Sequence, residues 1–364
     1  MEPKKLGFGL MRLPKRGVVI DVEQSKQMVD LFLEAGFTYF DTAYVYIGSE
    51  TATKKALVDR RPRDAYTLAD KLNVSVAPTV KFAKRELETS LARTGAGYFD
   101  YYLLHSLQAG NVDKYEKFGL WDFVREKKED GTLRHVGFSF HDSPELLDKL
   151  LTEHPEVEFV QLQINYADWE SPKTQSRRNY EVARAHGKPI VIMEPVKGGI
   201  LAKPPEDVQA LLKQAAPEAS FASWAIRFAA SLDGVLTVLS GMSSVEQMRD
   251  NLSYMTDFKP LNESERAVLR KAQELMGAAK TIPCTACRYC TEGCPQQIAN
   301  PEVFAAMNLR LGGGQLEAAG TAYAASTANG GKASDCVKCG QCETVCPQHL
   351  KIPTLLEDCA KAFD

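Results

Sequence analysis

The twelve residues CTACRYCTEGCP (284–295) return forty residues later as CVKCGQCETVCP (336–347), with the cysteines at the same spacing. Cys284, Cys287, Cys290 and Cys294 precede Pro295, and Cys336, Cys339, Cys342 and Cys346 precede Pro347, so both copies read C-x2-C-x2-C-x3-C-P. All nine cysteines of the 364-residue chain lie after residue 283. A disulfide framework would distribute its cysteines through the segment it staples, and it belongs to oxidising compartments. Nine thiols confined to one end point instead to bound metal in a reducing compartment.

The spacing is that of bacterial 4Fe-4S ligation, in which the fourth cysteine of each run serves the other cluster. Cluster 1 is therefore assigned Cys284, Cys287, Cys290 and Cys346, and cluster 2 Cys336, Cys339, Cys342 and Cys294. Zinc is an alternative, since paired C-x2-C knuckles also make tetrahedral sites. It leaves the third closely spaced cysteine and the terminal C-P without a purpose. Clusters that hold the fold but move no electrons are a second alternative.

The likeness between the copies continues in CPQQIANP and CPQHLKIP, so this end of the chain resembles a two-cluster bacterial ferredoxin. Between the copies, Pro301 to Leu311 reads as a helix closed by Gly312-Gly313-Gly314, and Leu316 to Ala325 as a second one before a loose STANGGKAS. Cys359 reads as a buried thiol rather than a ligand.

The boundary is set between a domain of residues 1–279 and a ferredoxin-type domain of residues 280–364. In the first, short apolar runs bounded by turn residues alternate with segments of helical period, as in βα units around a parallel sheet. After an N-terminal stretch (Leu6 to Leu13), strands are expected at Thr38 to Thr42, Tyr66 to Ala69, Tyr101 to His105, His135 to Ser139, Phe159 to Ile164, Pro189 to Met193 and Leu236 to Ser240. Helices are expected at Ser25 to Glu34, Trp121 to Lys128, Glu145 to Leu151, Arg178 to His186, Ser220 to Ser231 and Val245 to Tyr254. Eight units fit a (β/α)8 TIM barrel of about 250 residues, whose functional groups sit at the carboxyl ends of the strands. A doubly wound open sheet is the alternative, but no GxGxxG follows an early strand.

Four polar side chains fall at consecutive strand ends: Asp41 and Tyr46 in FDTAYVY, Lys71 in LADKL and His105 in YYLLHS. A tyrosine with an ordinary pKa of about 10 is a poor acid at neutral pH, and a nearby ammonium improves it by stabilising the phenolate. Asp41 would hold Lys71 charged, and His105 would hydrogen-bond a substrate oxygen that Tyr46 protonates as hydride arrives. Singly, these residues have ordinary uses as a cap, packing or a solvated rim charge.

Together, and with Gly48-Ser49-Glu50, LLHS and GFS, they resemble the aldo-keto reductase superfamily over roughly residues 5 to 260. The resemblance implies an oxidoreductase with the tetrad Asp41, Tyr46, Lys71 and His105. Tyr44 is an alternative acid, although the family's D-T-A-x-x-Y spacing selects Tyr46.

The resemblance further implies a nicotinamide cofactor at the barrel mouth, with Ser139 and Gln161 near its carboxamide and Gly241, Ser243, Ser244, Gln247 and Asn251 on its adenine side. Phe140 stands where the family has asparagine, Met193 where it has a stacking tyrosine, and Ser244 where many relatives have an arginine for a 2'-phosphate. Lys197-Gly198-Gly199 and Gly241 to Ser244 follow the seventh and eighth strands, where barrels commonly hold phosphate. That site suits NAD(P)H or FMN equally, and both glycine stretches also read as plain turns. Nicotinamide delivers two electrons together and a 4Fe-4S cluster passes one, so FMN, which exchanges in both ways, stays open as the barrel cofactor.

The expected protein is thus an iron-sulfur oxidoreductase of aldo-keto reductase type acting on a carbonyl or conjugated carbonyl compound, or on the corresponding alcohol. An external ferredoxin or other electron carrier is the expected partner. The alternative is an electron-transfer or redox-sensing module with a silent barrel. A net charge of -3 gives no field for nucleic acid. The start lacks the apolar run of a signal peptide and no later run reaches the roughly 20 residues of a membrane helix, so a cytoplasmic protein without membrane contact is expected.

Overall fold

A computed structural model of the chain describes residues 4–278, 281–313 and 315–364. The chain falls into two compact units. The first comprises Met1–Glu170, Gln175–Pro195 and Ala222–Arg266, and the second Ser171–Thr174, Val196–Phe221 and Ala267–Asp364. The boundary read from sequence, between residues 279 and 280, lies outside the described residues, as does Gly314.

Eight parallel strands close the barrel of the first unit: β1 (Leu6–Gly9), β2 (Tyr39–Asp41), β3 (Thr67–Leu72), β4 (Phe99–Leu107), β5 (Leu133–Phe140), β6 (Phe159–Gln163), β7 (Ile190–Met193) and β8 (Val235–Ser240). Each pairs with its sequence neighbours, and β1 closes the ring against β8. Inside, Tyr39, Ala69, Leu103, Phe159, Val191 and Leu239 form one packed layer, contributed by alternating strand positions. Outside, aromatic residues join strands to helices, with Phe32 edge-on to Phe40 at 5.2 Å and 5.8 Å from Phe8.

Helix ends follow their local signals. Asp21 accepts from Gln24 N–H at the start of Val22–Glu34, Ser143 accepts from Leu146 N–H with Pro144 in the first turn of Pro144–Glu153, and Ser244 caps Val245–Met255. Some strands outrun the sequence reading. β3 continues to Leu72, so Lys71 lies within it rather than past it, and β4 continues to Leu107, so His105 is no longer its last residue. β1 is shorter than expected, because Leu10–Arg12 turns as a 3-10 helix.

In the second unit the cysteine repeat is also a backbone repeat. Tyr289–Glu292 and Gln341–Thr344 are matching single-turn helices, and Ala286, Arg288 and Gln297 adopt positive φ where Lys338, Gly340 and His349 do so in the second copy. Ile298, Val303, Phe304, Leu350, Ile352, Leu356 and the buried Cys359 make its core. The helix Asn300–Gly313 and the helix Leu316–Thr327 both run longer than expected. The stretch read as loose is packed: a Cβ on Gly331 would lie 2.3 Å from Gln296 O, just after Cys294-Pro295. Among the described residues no helix is long and apolar enough to cross a membrane.

Candidate active site and cluster ligands

Asp41 ends β2 opposite Ala69 on β3, and Lys71 follows two positions later on the same face. Lys71 Nζ donates to Asp41 Oδ1 at 2.5 Å and to Thr42 O at 2.7 Å. Tyr46 stands in the turn after β2, where its N–H donates to Ala43 O and its carbonyl accepts from Ser49 N–H, both at 2.9 Å. Lys71 Nζ lies 5.0 Å from the centre of the Tyr46 ring, and the His105 ring meets it edge-on at 5.8 Å. The four sequence candidates therefore come together. Tyr44 turns away, its ring 4.8 Å from the Arg93 guanidinium and edge-on to Phe82.

Lys71 is wholly buried, and Asp41 and His105 nearly so. Burial pushes the Asp41 carboxyl up while the Lys71 ammonium pulls it back. Burial, with the charges of Lys71 and His141 added, holds His105 well below the usual imidazole range, so its ring is neutral near pH 7. His141 directly follows β5. Tyr115 is buried and donates to His105 O at 2.5 Å, so it steadies β4 from behind. Trp169 packs on Tyr180 and Phe228 at 5.5 Å.

Behind Lys71 lies a group that sequence reading missed. Asp70, Glu50 and Glu86 are all buried, and each has one carboxyl oxygen with no hydrogen-bond partner. Asp70 accepts from Lys71 N–H at 2.7 Å, Glu50 pairs with Arg93 at 2.7 Å, and Glu86 accepts from Asn73 N–H at 2.8 Å. Burial, reinforced by Glu50, holds the Asp70 carboxyl well above the usual range. A strand-end Asp-Lys pair hides this arrangement, because Asp70 and Lys71 point to opposite faces of β3.

The cofactor candidates divide. Ser139 Oγ accepts from Ser106 N–H at 2.7 Å, bracing a residue held at φ 59. Gln161 Nε2 reaches Met193 Sδ at 3.5 Å, while its Oε1 is buried without a partner. The groups after β8 bond within their own loop and helix or to β8: Gln247 Oε1 accepts from Ser243 N–H at 2.7 Å, Ser244 caps the helix, and the buried Asn251 bonds Ser240 and Tyr254, both at 2.6 Å. Gly241 lies against Arg12, whose Cδ would be 3.3 Å from a Cβ there, and Arg12 is 3.9 Å from Glu194. Arg12 is thus a cation beside this loop that sequence reading overlooked. Lys197, Gly198 and Gly199 belong to the second unit, whereas Gly241 belongs to the first.

In the second unit two cavities carry the cysteines. Cys284, Cys287, Cys290 and Cys346 line one, and Cys294, Cys336, Cys339 and Cys342 line the other. These are the two crossed sets read from the sequence. Among the described residues no three metal-ligating side chains converge on a point, as one ion would require. Each cavity has four cysteines in its lining, the number one 4Fe-4S cluster takes. Cys346 faces the backbone N–H groups of Gln348, His349 and Leu350, a concavity of the kind that favours anionic sulfur. Burial nevertheless pushes the Cys284 thiol up to about 11, so a bound cation is needed for a thiolate there.

Comparison with known proteins follows the same division. Residues 5–274 match the aldo/keto reductase family and residues 283–350 a 4Fe-4S dicluster domain. Aldo-keto reductase str7 of Strobilurus tenacellus is 28% identical over 221 residues, 56% of this chain and 62% of its own. An aldo-keto reductase of Mycolicibacterium smegmatis is 33% identical over 117 residues, 31% of this chain and 39% of its own. The chain thus spans about two to three fifths of the length of these relatives. Among solved structures, an aldo-keto reductase from Klebsiella pneumoniae in complex with NADPH superposes with a TM-score of 0.60 at 19% identity, covering 75% of this chain and 96% of that one. The holo aldo-keto reductase of Bacillus halodurans gives 0.58 at 24%, covering 73% and 91%. At these identities the superpositions speak for the fold.

Proposed function

Because the chain belongs to the aldo/keto reductase family and carries a 4Fe-4S dicluster domain, we propose that it is an iron-sulfur oxidoreductase interconverting a carbonyl compound and its alcohol, with Tyr46 handling the proton. The observation that carries this reading is the joint placement of Asp41, Lys71, Tyr46 and His105 at one end of the barrel. Lys71, held by hydrogen bonds to Asp41 and Thr42 O, sets positive charge beside the phenol from which the proton leaves. His105, neutral through burial, orients the substrate oxygen.

The buried Gln161 Oε1 is an acceptor awaiting a donor, and the amide of a nicotinamide supplies one, so the residues fit that cofactor. When bound, reduced nicotinamide contributes a hydride. Gln161 and Ser139 would hold its carboxamide, and Arg12 with the Gly241 backbone would face its phosphates. FMN would draw on the same phosphate contacts, and its ring N3–H would also meet Gln161 Oε1, so identification of the bound molecule, not this residue, tells the two apart. The crossed cysteine sets would hold two 4Fe-4S clusters, which contribute one-electron transfer.

Replacing Tyr46 with Phe tests the reading on anaerobically purified protein, assayed against a panel of carbonyl compounds with reduced nicotinamide and with reduced ferredoxin in parallel. Loss of a general acid should lower turnover by about a hundredfold to ten-thousandfold while iron content stays constant. Near-normal turnover would remove Tyr46 from the chemistry. A second reading, an electron-transfer module with a silent barrel, draws support from Gln247 and Asn251, whose side chains are engaged in bonds to Ser243 and Ser240. It wins if the wild-type protein turns over no carbonyl with either donor yet takes up electrons.

A further inference from the structure

The loop after β7 has an unusual backbone. Lys197, Gly198 and Gly199 adopt positive φ in succession, at 48°, 64° and 101°. A lysine in the left-handed region is strained, and such strain persists only where the surroundings impose it. The imposing contact is at Gly198. A Cβ there would lie 2.4 Å from Thr285 O, 2.7 Å from Thr285 Cα and 2.8 Å from Thr285 Cβ. Two of these atoms are backbone, so no side-chain rotation would relieve the clash.

Thr285 is the residue between Cys284 and Cys287, and it lines the cavity that these cysteines share with Cys290 and Cys346. Its counterpart in the second copy is Val337. The two positions have the same local backbone plan, yet Thr285 is 2% exposed and Val337 58% exposed. The cysteines follow suit, since Cys287 is partly covered and Cys339 is exposed. One copy of the repeat is buttressed and the other stands open.

We propose that Gly198 is a positioning residue for the first cluster: the loop Val196–Gly199, contributed from the connection after β7, seats the Cys284–Cys287 turn, and the second cluster assembles without any such support. The two clusters are then inequivalent despite identical ligand spacing. The first depends on a segment more than eighty residues upstream of its cysteines, and the second, with Val337 and Cys339 at the surface, meets solvent directly. This rests on the reading that the eight cysteines hold two clusters.

The test is anaerobic reconstitution of the full chain with iron and sulfide, followed by iron analysis and electron paramagnetic resonance after dithionite reduction. Gly198→Ala should retain about half of the wild-type iron, since cluster uptake requires a formed site. The resonance it loses should be the one lost in Cys287→Ser and kept in Cys339→Ser. Val337→Ala should keep both. Full iron with an unaltered spectrum in Gly198→Ala, or loss of the Cys339-dependent signal, overturns the proposal. Should Gly198→Ala fail to fold, iron release from wild-type protein to a chelator decides instead. The Cys339-dependent signal should decay first, and the reverse order overturns the proposal. Wild-type protein that takes up no 4Fe-4S iron would defeat the two-cluster reading itself.

Discussion

Lys71 Nζ and Asp41 Oδ1 are 2.5 Å apart with essentially no solvent on either side chain. Removing one member of such a pair strands a buried charge, at about 3–5 kcal/mol. Asp41→Asn and Lys71→Met should therefore each lower both the melting temperature and kcat/KM. The double variant, with no stranded charge, should regain most of the stability and none of the activity. Thermal melts beside steady-state kinetics check this. Recovery of turnover in the double variant would show that the pair serves the fold alone.

The carboxyls behind Lys71 predict a pH dependence. Burial pushes Glu86 up to about 8, with the Asn73 N–H opposing it and Glu50 adding to it. A carboxyl raised on folding holds its proton more tightly in the native state, so its contribution is complete below the ordinary carboxylate range and is lost as pH climbs toward about 8. Barrel stability should fall from pH 5 to pH 8 in chemical denaturation. Glu86→Gln should flatten that fall, and an identical slope in wild type and variant would contradict the assignment.

What could be read from the chain follows from how local each signal is. The eight strands and the crossed cysteine sets are written in adjacent residues or fixed spacings, and they were legible. The extension of β3 through Asp70-Lys71 was not. Two charged residues look like a strand end until their partners, Glu50 and Asp41, arrive from elsewhere in the chain. Lys197-Gly198-Gly199 reads as a phosphate turn because its glycines are visible, while the neighbour that demands Gly198 lies more than eighty residues away. Arg12 was hidden because its role depends on closure of β1 against β8.

Gln161 offers a direct probe of the barrel cofactor. A single hydrogen bond is worth about 1 kcal/mol net, and more where a buried partner is left unmet. Gln161→Ala should weaken binding of reduced nicotinamide by about tenfold, measured by fluorescence titration, with little change in affinity for a nucleotide fragment lacking the nicotinamide. Equal weakening of both ligands would place Gln161 outside the carboxamide site. Heat-released FMN from anaerobically purified protein would redirect the assignment to flavin.

The crossed cavities give the sharpest test of the repeat. Cys294 lies with Cys336, Cys339 and Cys342, and Cys346 lies with Cys284, Cys287 and Cys290. Cys294→Ser should therefore perturb the resonance that Cys339→Ser perturbs, although Cys294 belongs to the other copy of the motif. Cys346→Ser should follow Cys287→Ser in the same way. Its effect on folding should also be the larger, because Cys346 is buried in the core with Leu350 and Ile352 while Cys294 sits at its edge. Spectra that pair Cys294 with Cys287 instead would mean that each motif closes on its own cluster, and the fourth cysteines would then have to swing out of the cavities they line.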